Sequence, residues 1–213
     1  MSKECGITEA NLLSKEIIVR EWARRKLGTL AHELRVAQVA QKFFQLTQRW
    51  HDLGTGEYRL LTLAALVHDV GRAERDQGHA KAGARMLIEN TSLPLTETER
   101  RRLAFLTRYH RGKVPAVGEE RYLDHNVDRN FMMRTLLGLL RAADALDSRS
   151  LGGPQLVVTV RDKAVTIYGY IAGDAAVAAS TLGKPKKFKL LESMLGCQVR
   201  TEWFSSDRLT LVS

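Results

Sequence analysis

Six histidines occur in the chain, and four of them stand among apolar residues at helical spacing. His32 shares a helical face with Val36, Val39 and Phe43, at i, i+4, i+7 and i+11. His68 and Asp69 close the apolar string AALVHDVG. His79 falls on one face with Ala82, Gly83 and Met86, and His110 on one with Leu103 and Leu106. Asp144 lies on a stripe with Met133, Leu137 and Leu140. Separate segments thus send four imidazoles and two carboxylates toward an apolar interior. A carboxylate does not stay ionised there without a cation or several donors. One such histidine alone reads as a satisfied core residue. Together they call for a shared charge, and a divalent metal supplies it. Neutral imidazole with carboxylate is the donor set of zinc, iron, manganese or nickel.

The chain carries its own control. His51-Asp52 is a second His-Asp pair, but it follows Trp50 and precedes Leu53-Gly54 at a helix end. Asp52 there reads as turn chemistry, with no site role. His125 reads as a surface loop residue. Cations stand beside the inward-facing histidines: Arg72, Lys81, Arg108, Arg111 and Lys113. Each is either a clamp for anionic oxygens or an ordinary solvated side chain.

The elements that must position these residues are helical through the first 150 residues or so. The apolar spacing predicts helices over 29–48, 57–70, 79–89, 97–109 and 128–147. The second is apolar nearly all round and therefore buried, with Gly71 as its left-handed terminator. After Gly152, Gly153 and Pro154 the texture changes. Residues 155–161 and 164–171 alternate and are rich in Val, Ile and Tyr, two strands joined by an Asp162-Lys163 turn. A helix over 185–195 ends at Gly196, and strand-like runs follow over 198–204 and 208–212. The expected fold class is mainly α: a helical bundle over 1–152, then a small α+β unit over 153–213.

Composition narrows the function. Two cysteines, Cys5 and Cys197, stand far apart and in no CxxC, which excludes a disulfide scaffold and a cysteine zinc site. That usage fits a reducing compartment, and with no signal-peptide core or long apolar run the expected location is the cytoplasm, with no membrane partner. The net charge of +9 suits an anionic partner, although the cations are scattered. Lys184, Lys186, Lys187, Lys189 and Arg200, with Trp203 and Phe204, raise nucleic-acid binding by the tail. That reading is the weaker one, because Phe188, Leu190, Leu191 and Leu195 look like the apolar face of a packed helix.

The order His32, His68-Asp69, Asp144 resembles the HD superfamily of metal-dependent phosphohydrolases. The strings HDLGTGEYRLLTLAALVHDVG, GHAKAGARMLIENTSLPL, LTRYHRGKVP and LLRAADALDSRS are similar to the HD region at the C-terminal end of the exopolyphosphatase/guanosine-pentaphosphate phosphatase family. The strand-rich tail is similar to that family's end as well. The resemblance implies an HD-type bundle and a metal site of His32, His68, Asp69 and Asp144. His79 and His110 match the histidines that hold a second ion in binuclear members, with Asp69 bridging; otherwise they hydrogen-bond the substrate. It implies one or two divalent ions, Mn, Fe, Zn, Ni or Mg, and attack of an activated water on phosphorus. Asp69 and Arg72 would be catalytic. Arg72, Lys81, Arg108, Arg111 and Lys113 would hold phosphate.

Two departures qualify this. Only about 30 residues precede His32, too few for the family's actin-like phosphate-binding domain, so a stand-alone unit is expected. Several binuclear members read HDxGK where this chain reads HDVGR. Arginine keeps its proton, so Arg72 would clamp rather than shuttle. The expected function is hydrolysis of a phosphomonoester or phosphoanhydride, a nucleotide or polyphosphate among them. The alternative is a regulatory module that binds polyphosphate, a nucleotide or a protein without turnover. A homo-oligomer is compatible with either.

Overall fold

The computed structural model describes residues 9–123, 127–149, 151 and 153–206. Among them, six α-helices come first: α1 (Glu9–Leu27), α2 (Ala31–His51), α3 (Thr55–Val67), α4 (His79–Glu89), α5 (Glu97–Tyr109) and α6 (Val127–Ala145). A small unit follows: β1 (Gln155–Arg161), β2 (Ala164–Ile171), α7 (Ala175–Thr181), α8 (Lys189–Leu195) and β3 (Gln198–Ser205). The molecule is mainly helical with one three-stranded sheet, in the order β1-β2-β3.

The centre of the bundle is α3. Every residue from Leu60 to Val67 is buried, as its all-round apolar sequence requires. Helix α5 starts at a capping box: Glu99 N–H donates to Thr96 Oγ1 at 3.1 Å, and Thr96 N–H to Glu99 Oε2 at 2.6 Å. In α6, Met133, Leu136, Leu137, Leu139 and Leu140 are fully buried, whereas Phe131 is half exposed.

The helix over 57–70 ends sooner than expected. It stops at Val67, and a 3₁₀ turn spans Val70–Ala73. Gly71 is not a left-handed terminator, since its φ is not positive. Its role is steric. A Cβ at Gly71 would lie 2.0 Å from the His79 carbonyl oxygen and 2.4 Å from Gly83 N. The chain after the His-Asp pair is thus pressed onto the first turns of α4, and this contact delivers His79 to Asp69.

In the C-terminal unit, β1 and β2 form an antiparallel hairpin with Arg161 opposite Ala164. The intervening Asp162 and Lys163 both have positive φ, +46° and +59°, the conformation that a two-residue hairpin loop demands. β3 runs parallel to β2, with Ala164 opposite Gln198, so the connection crosses over through α7 and α8. The single helix expected over 185–195 is a 3₁₀ turn, Pro185–Lys187, followed by α8, and Gly196 closes it at φ +58°. Helices α1 and α7 were not foreseen as separate elements. The strand expected over 208–212, His125 and Cys5 lie outside the described residues.

The unit is docked on the bundle. Phe188, Leu191 and Leu195 belong to the same buried cluster as Leu136, Leu139 and Leu140. Gly138 permits the close approach, because a Cβ there would meet Leu191 Cα at 3.0 Å. No helix is long and apolar enough to cross a membrane among the described residues.

Gly71→Ala tests the steric account. Two backbone segments must separate to admit the methyl group, which costs about 1–3 kcal/mol or more. Urea denaturation is expected to show that loss, together with weaker binding of any ion held by His79.

Candidate metal centre

Two helices end at the residues that matter. His68 is the C-cap of α3, and His110 the C-cap of α5. A helix leaves its last carbonyls without partners. Here the imidazoles meet that need: His68 Nδ1 lies 2.7 Å from Ala65 O, and His110 Nδ1 lies 2.7 Å from Thr107 O. His79, at the start of α4, makes the same contact with Asp76 O at 2.7 Å. A carbonyl oxygen only accepts, so Nδ1 carries the proton in all three rings. Their Nε2 atoms are left to face inward.

His32 on α2 is oriented by a different device. Its Nδ1 donates to Asp147 Oδ2 at 2.5 Å, and Arg35 grips the same carboxylate with Nε and Nη2 at 2.7 and 3.0 Å. Its Nε2 also points inward.

The inward atoms form two facing triangles. In one, His32 Nε2, His68 Nε2 and Asp144 Oδ1 are separated by 3.3, 3.4 and 3.6 Å. In the other, Asp69 Oδ1, His79 Nε2 and His110 Nε2 are separated by 2.9, 3.4 and 3.4 Å. His68 Nε2 lies 3.9 Å from Asp69 Oδ1 and links them. Bare imidazole nitrogens at such distances repel unless a cation sits between them. Two ligand atoms about 2.1 Å from one ion, at a tetrahedral angle, lie about 3.4 Å apart. The residues present therefore fit a divalent metal. His32, His68 and Asp144 group as potential ligands, as do His68, Asp69 and His110.

Electrostatics agree with the geometry. Burial pushes the Asp69 carboxyl up, but His110, His68 and His79 outweigh it and hold it well below the usual carboxylate range. Burial likewise opposes ionisation of Asp144, and hydrogen bonds from His32 and His68 with the charge of His68 overcome it. Burial pulls His32 down, but Asp144 and Asp147 raise it to about 9. A proton on His32 Nε2 thus fills one gap where an ion would sit.

The other oxygen of Asp69, Oδ2, faces two guanidinium groups. Arg72 Nε donates to it at 2.6 Å and Arg149 Nη2 at 3.1 Å. Arg149 also pairs with Glu33, a fully buried carboxylate whose Oε2 has no partner among the described residues.

A cleft of about 540 Å³ opens over the centre. It is lined by His32, Asp69 and Asp144, by Arg72, Arg111 and Arg149, and by Lys184, Lys186 and Lys187 of the C-terminal unit. Of the cations singled out in the sequence, Arg72 and Arg111 line it, whereas Lys81, Arg108 and Lys113 do not. Arg108 instead lies over the Tyr109 ring, 5.1 Å from its centroid. His51, the control, accepts from Leu53 N–H at 3.0 Å and lies 3.1 Å from Phe44 O through Nε2, away from the cleft.

Sequence reasoning missed Glu33, Arg35, Asp147 and Arg149. One signal was available: a ligating imidazole needs an acceptor for its other nitrogen, and DALDSRS offers Asp147 one turn after Asp144. It also passed over Lys184, Lys186 and Lys187, because their place beside the cleft depends on how the C-terminal unit docks.

Fold and site together define a mainly helical protein with a histidine–aspartate cluster suited to a divalent metal beneath a basic cleft. The family model described as Ppx/GppA phosphatase, domain III, matches residues 25–161, well over half of the chain, and the chain belongs to that family. The matched residues include all six inward-facing histidines and aspartates and stop short of Lys184. No curated protein matches the chain.

Two predictions follow from the charges. The folded state raises His32 from an ordinary 6.5 to about 9. Its contribution is therefore complete below about pH 6.5 and lost as pH rises through about 9, worth at most roughly 3 kcal/mol. Melting of the metal-free protein is expected to shift to lower temperature across that window. Added metal, which takes the proton's place, should stabilise more strongly as pH rises. Arg149→Ala removes from the buried Glu33 carboxyl its ion-pair partner among the described residues. A loss of about 3 kcal/mol is expected in urea denaturation, and Arg149→Ala with Glu33→Gln should restore part of it.

Proposed function

We propose that the chain is a metal-dependent phosphohydrolase built on an HD-type bundle, acting on a phosphomonoester or phosphoanhydride. In this reading His32, His68, Asp69 and Asp144 hold a divalent ion, and His79 and His110 with Asp69 hold a second or meet the substrate. The bundle over 1–152 carries the ligands, and the unit over 153–213 covers the cleft. The observation that carries the reading is the set of Nε2 atoms turned inward around a buried carboxylate, each ring held by a bond to its far nitrogen. Membership of a phosphatase family supports the phosphorus chemistry.

A divalent ion, when bound, acidifies a water molecule and neutralises charge on a phosphoryl oxygen. The rest falls to this chain's side chains. Asp147 and the three backbone carbonyls keep protons on Nδ1, so the rings cannot turn away. Arg72 and Arg149 hold Asp69 by Oδ2 and leave Oδ1 for the centre. Arg111 at the cleft wall is placed to take a non-bridging phosphate oxygen in a two-pronged bond, which lysine would not reproduce.

Asp69→Ala is expected to abolish metal uptake, read by elemental analysis, and phosphatase turnover with Mn²⁺ or Mg²⁺, while circular dichroism keeps its helical signal. Turnover at the wild-type rate in Asp69→Ala would sink the proposal. A wild type that takes up metal yet turns over no phosphate compound would be the regulatory module instead. Arg111→Ala should lower kcat/KM by roughly 10-fold or more, the loss of one charge-assisted bond.

A further inference from the structure

Four cations in the cleft wall, Arg111, Lys184, Lys186 and Lys187, form no ion pair with a carboxylate among the described residues. Arg72 and Arg149, by contrast, are already engaged with Asp69. The three lysines belong to the segment between α7 and α8, and its position is built rather than loose. Gly183 N–H donates to Ala145 O at 2.8 Å, one residue past Asp144 at the end of α6. Gly183 itself has φ +61°, and a Cβ there would lie 3.0 Å from Thr201 Cγ2. Leu182 and Phe188 on either side are buried.

We propose that this segment forms a second anion subsite beside the metal centre, so that the natural ligand carries two anionic groups: one at the centre and one against Lys184, Lys186 and Lys187. The inference rests on the metal-site reading for the first group only. The second group is read from the lysines alone.

Charge repulsion supports it. Lys187 is half-buried. Burial pulls its ammonium below the ordinary lysine range; Asp144 opposes this, while Arg111, Arg141 and Lys186 add to the depression. Cations gathered beside a low-dielectric wall are held against their mutual repulsion, and an anion relieves it. An ion at the centre would add positive charge and deepen the same field. A single anionic group at the metal leaves the lysines unanswered, and a second answers them. A nucleic-acid surface is the less suited reading, because the three lysines line the same cleft as His32, Asp69 and Asp144, and phosphates along a duplex need an extended face.

Methylenediphosphonate and methylphosphonate test this by isothermal titration in excess Mg²⁺, which keeps the ligand from stripping the centre. The P–C–P bridge resists hydrolysis, so binding is read without turnover. The wild type should bind the diphosphonate more tightly than the monophosphonate. Lys184→Gln/Lys186→Gln/Lys187→Gln should weaken the diphosphonate about 10- to 100-fold. It should weaken the monophosphonate far less. Lys184→Arg/Lys186→Arg/Lys187→Arg keeps the charge and should retain most of the affinity. Equal losses for the two ligands would mean that the lysines act only as a general field, and no loss would remove them from the site; either result overturns the subsite. Failure of the metal reading shows up separately, as a wild type that takes up no divalent ion. The diphosphonate arm in metal-free protein then still judges the lysines.

Discussion

Asp69 is buried where three imidazoles and two guanidinium groups meet, and its negative charge has to be balanced there by something other than water. An ionised carboxylate in an apolar interior is tolerated only with paired charge and full hydrogen bonding. Much of the bundle reads as the means of providing this. Helix α3 carries Asp69 to the centre just beyond its own last turn. Helices α4 and α5 bring His79 and His110 to it, and the contact between Gly71 and α4 sets how near they come. Arg72 and Arg149 take the oxygen that the imidazoles leave.

The imidazoles are aimed by helix termination. At α3 and α5 the same event that ends the helix also orients the ring, because the free carbonyl three residues back accepts the Nδ1 proton. A backbone need common to all helices becomes a way to present Nε2. This explains why the cluster needs so few dedicated supports. His32, in the first turn of α2, has no such carbonyl and uses Asp147 and Arg35 instead.

The fold was legible where the pattern was strong. Helices α4 and α5 and the β1–β2 hairpin follow from apolar spacing and turn residues, both local. α1 was not legible, because its apolar residues form no clear stripe and its burial of Val19, Trp22 and Ala23 depends on neighbours. α7 is a short alanine-rich run capped by Asp174, with little pattern to show. The inward-facing histidines and aspartates were legible, since a polar residue on an apolar face is visible in a single helix. Arg149 and Glu33 were not. Their pairing spans more than a hundred residues, and Glu33 sits beside His32 on a helix where an acid ordinarily faces solvent. The lysines of the α7–α8 segment read as a surface charge run because a docking event decides which way they face.

The backbone bond from Gly183 to Ala145 also bears on the order of assembly. A ribosome releases the candidate ligands first, since all lie at or before Asp147, and the lysine segment emerges some forty residues later. At ordinary elongation rates that interval is roughly 2–8 s, long compared with helix formation and collapse. During it the nascent chain has its acidic and imidazole groups, with Arg72 and Arg111, but not the three lysines. The three lysines reach the cleft only when α8 packs on α6, after the helices that carry the inward-facing histidines and aspartates have been made. Gly183 is thus where the later-made unit is tied, by one backbone bond, to the helix that carries Asp144.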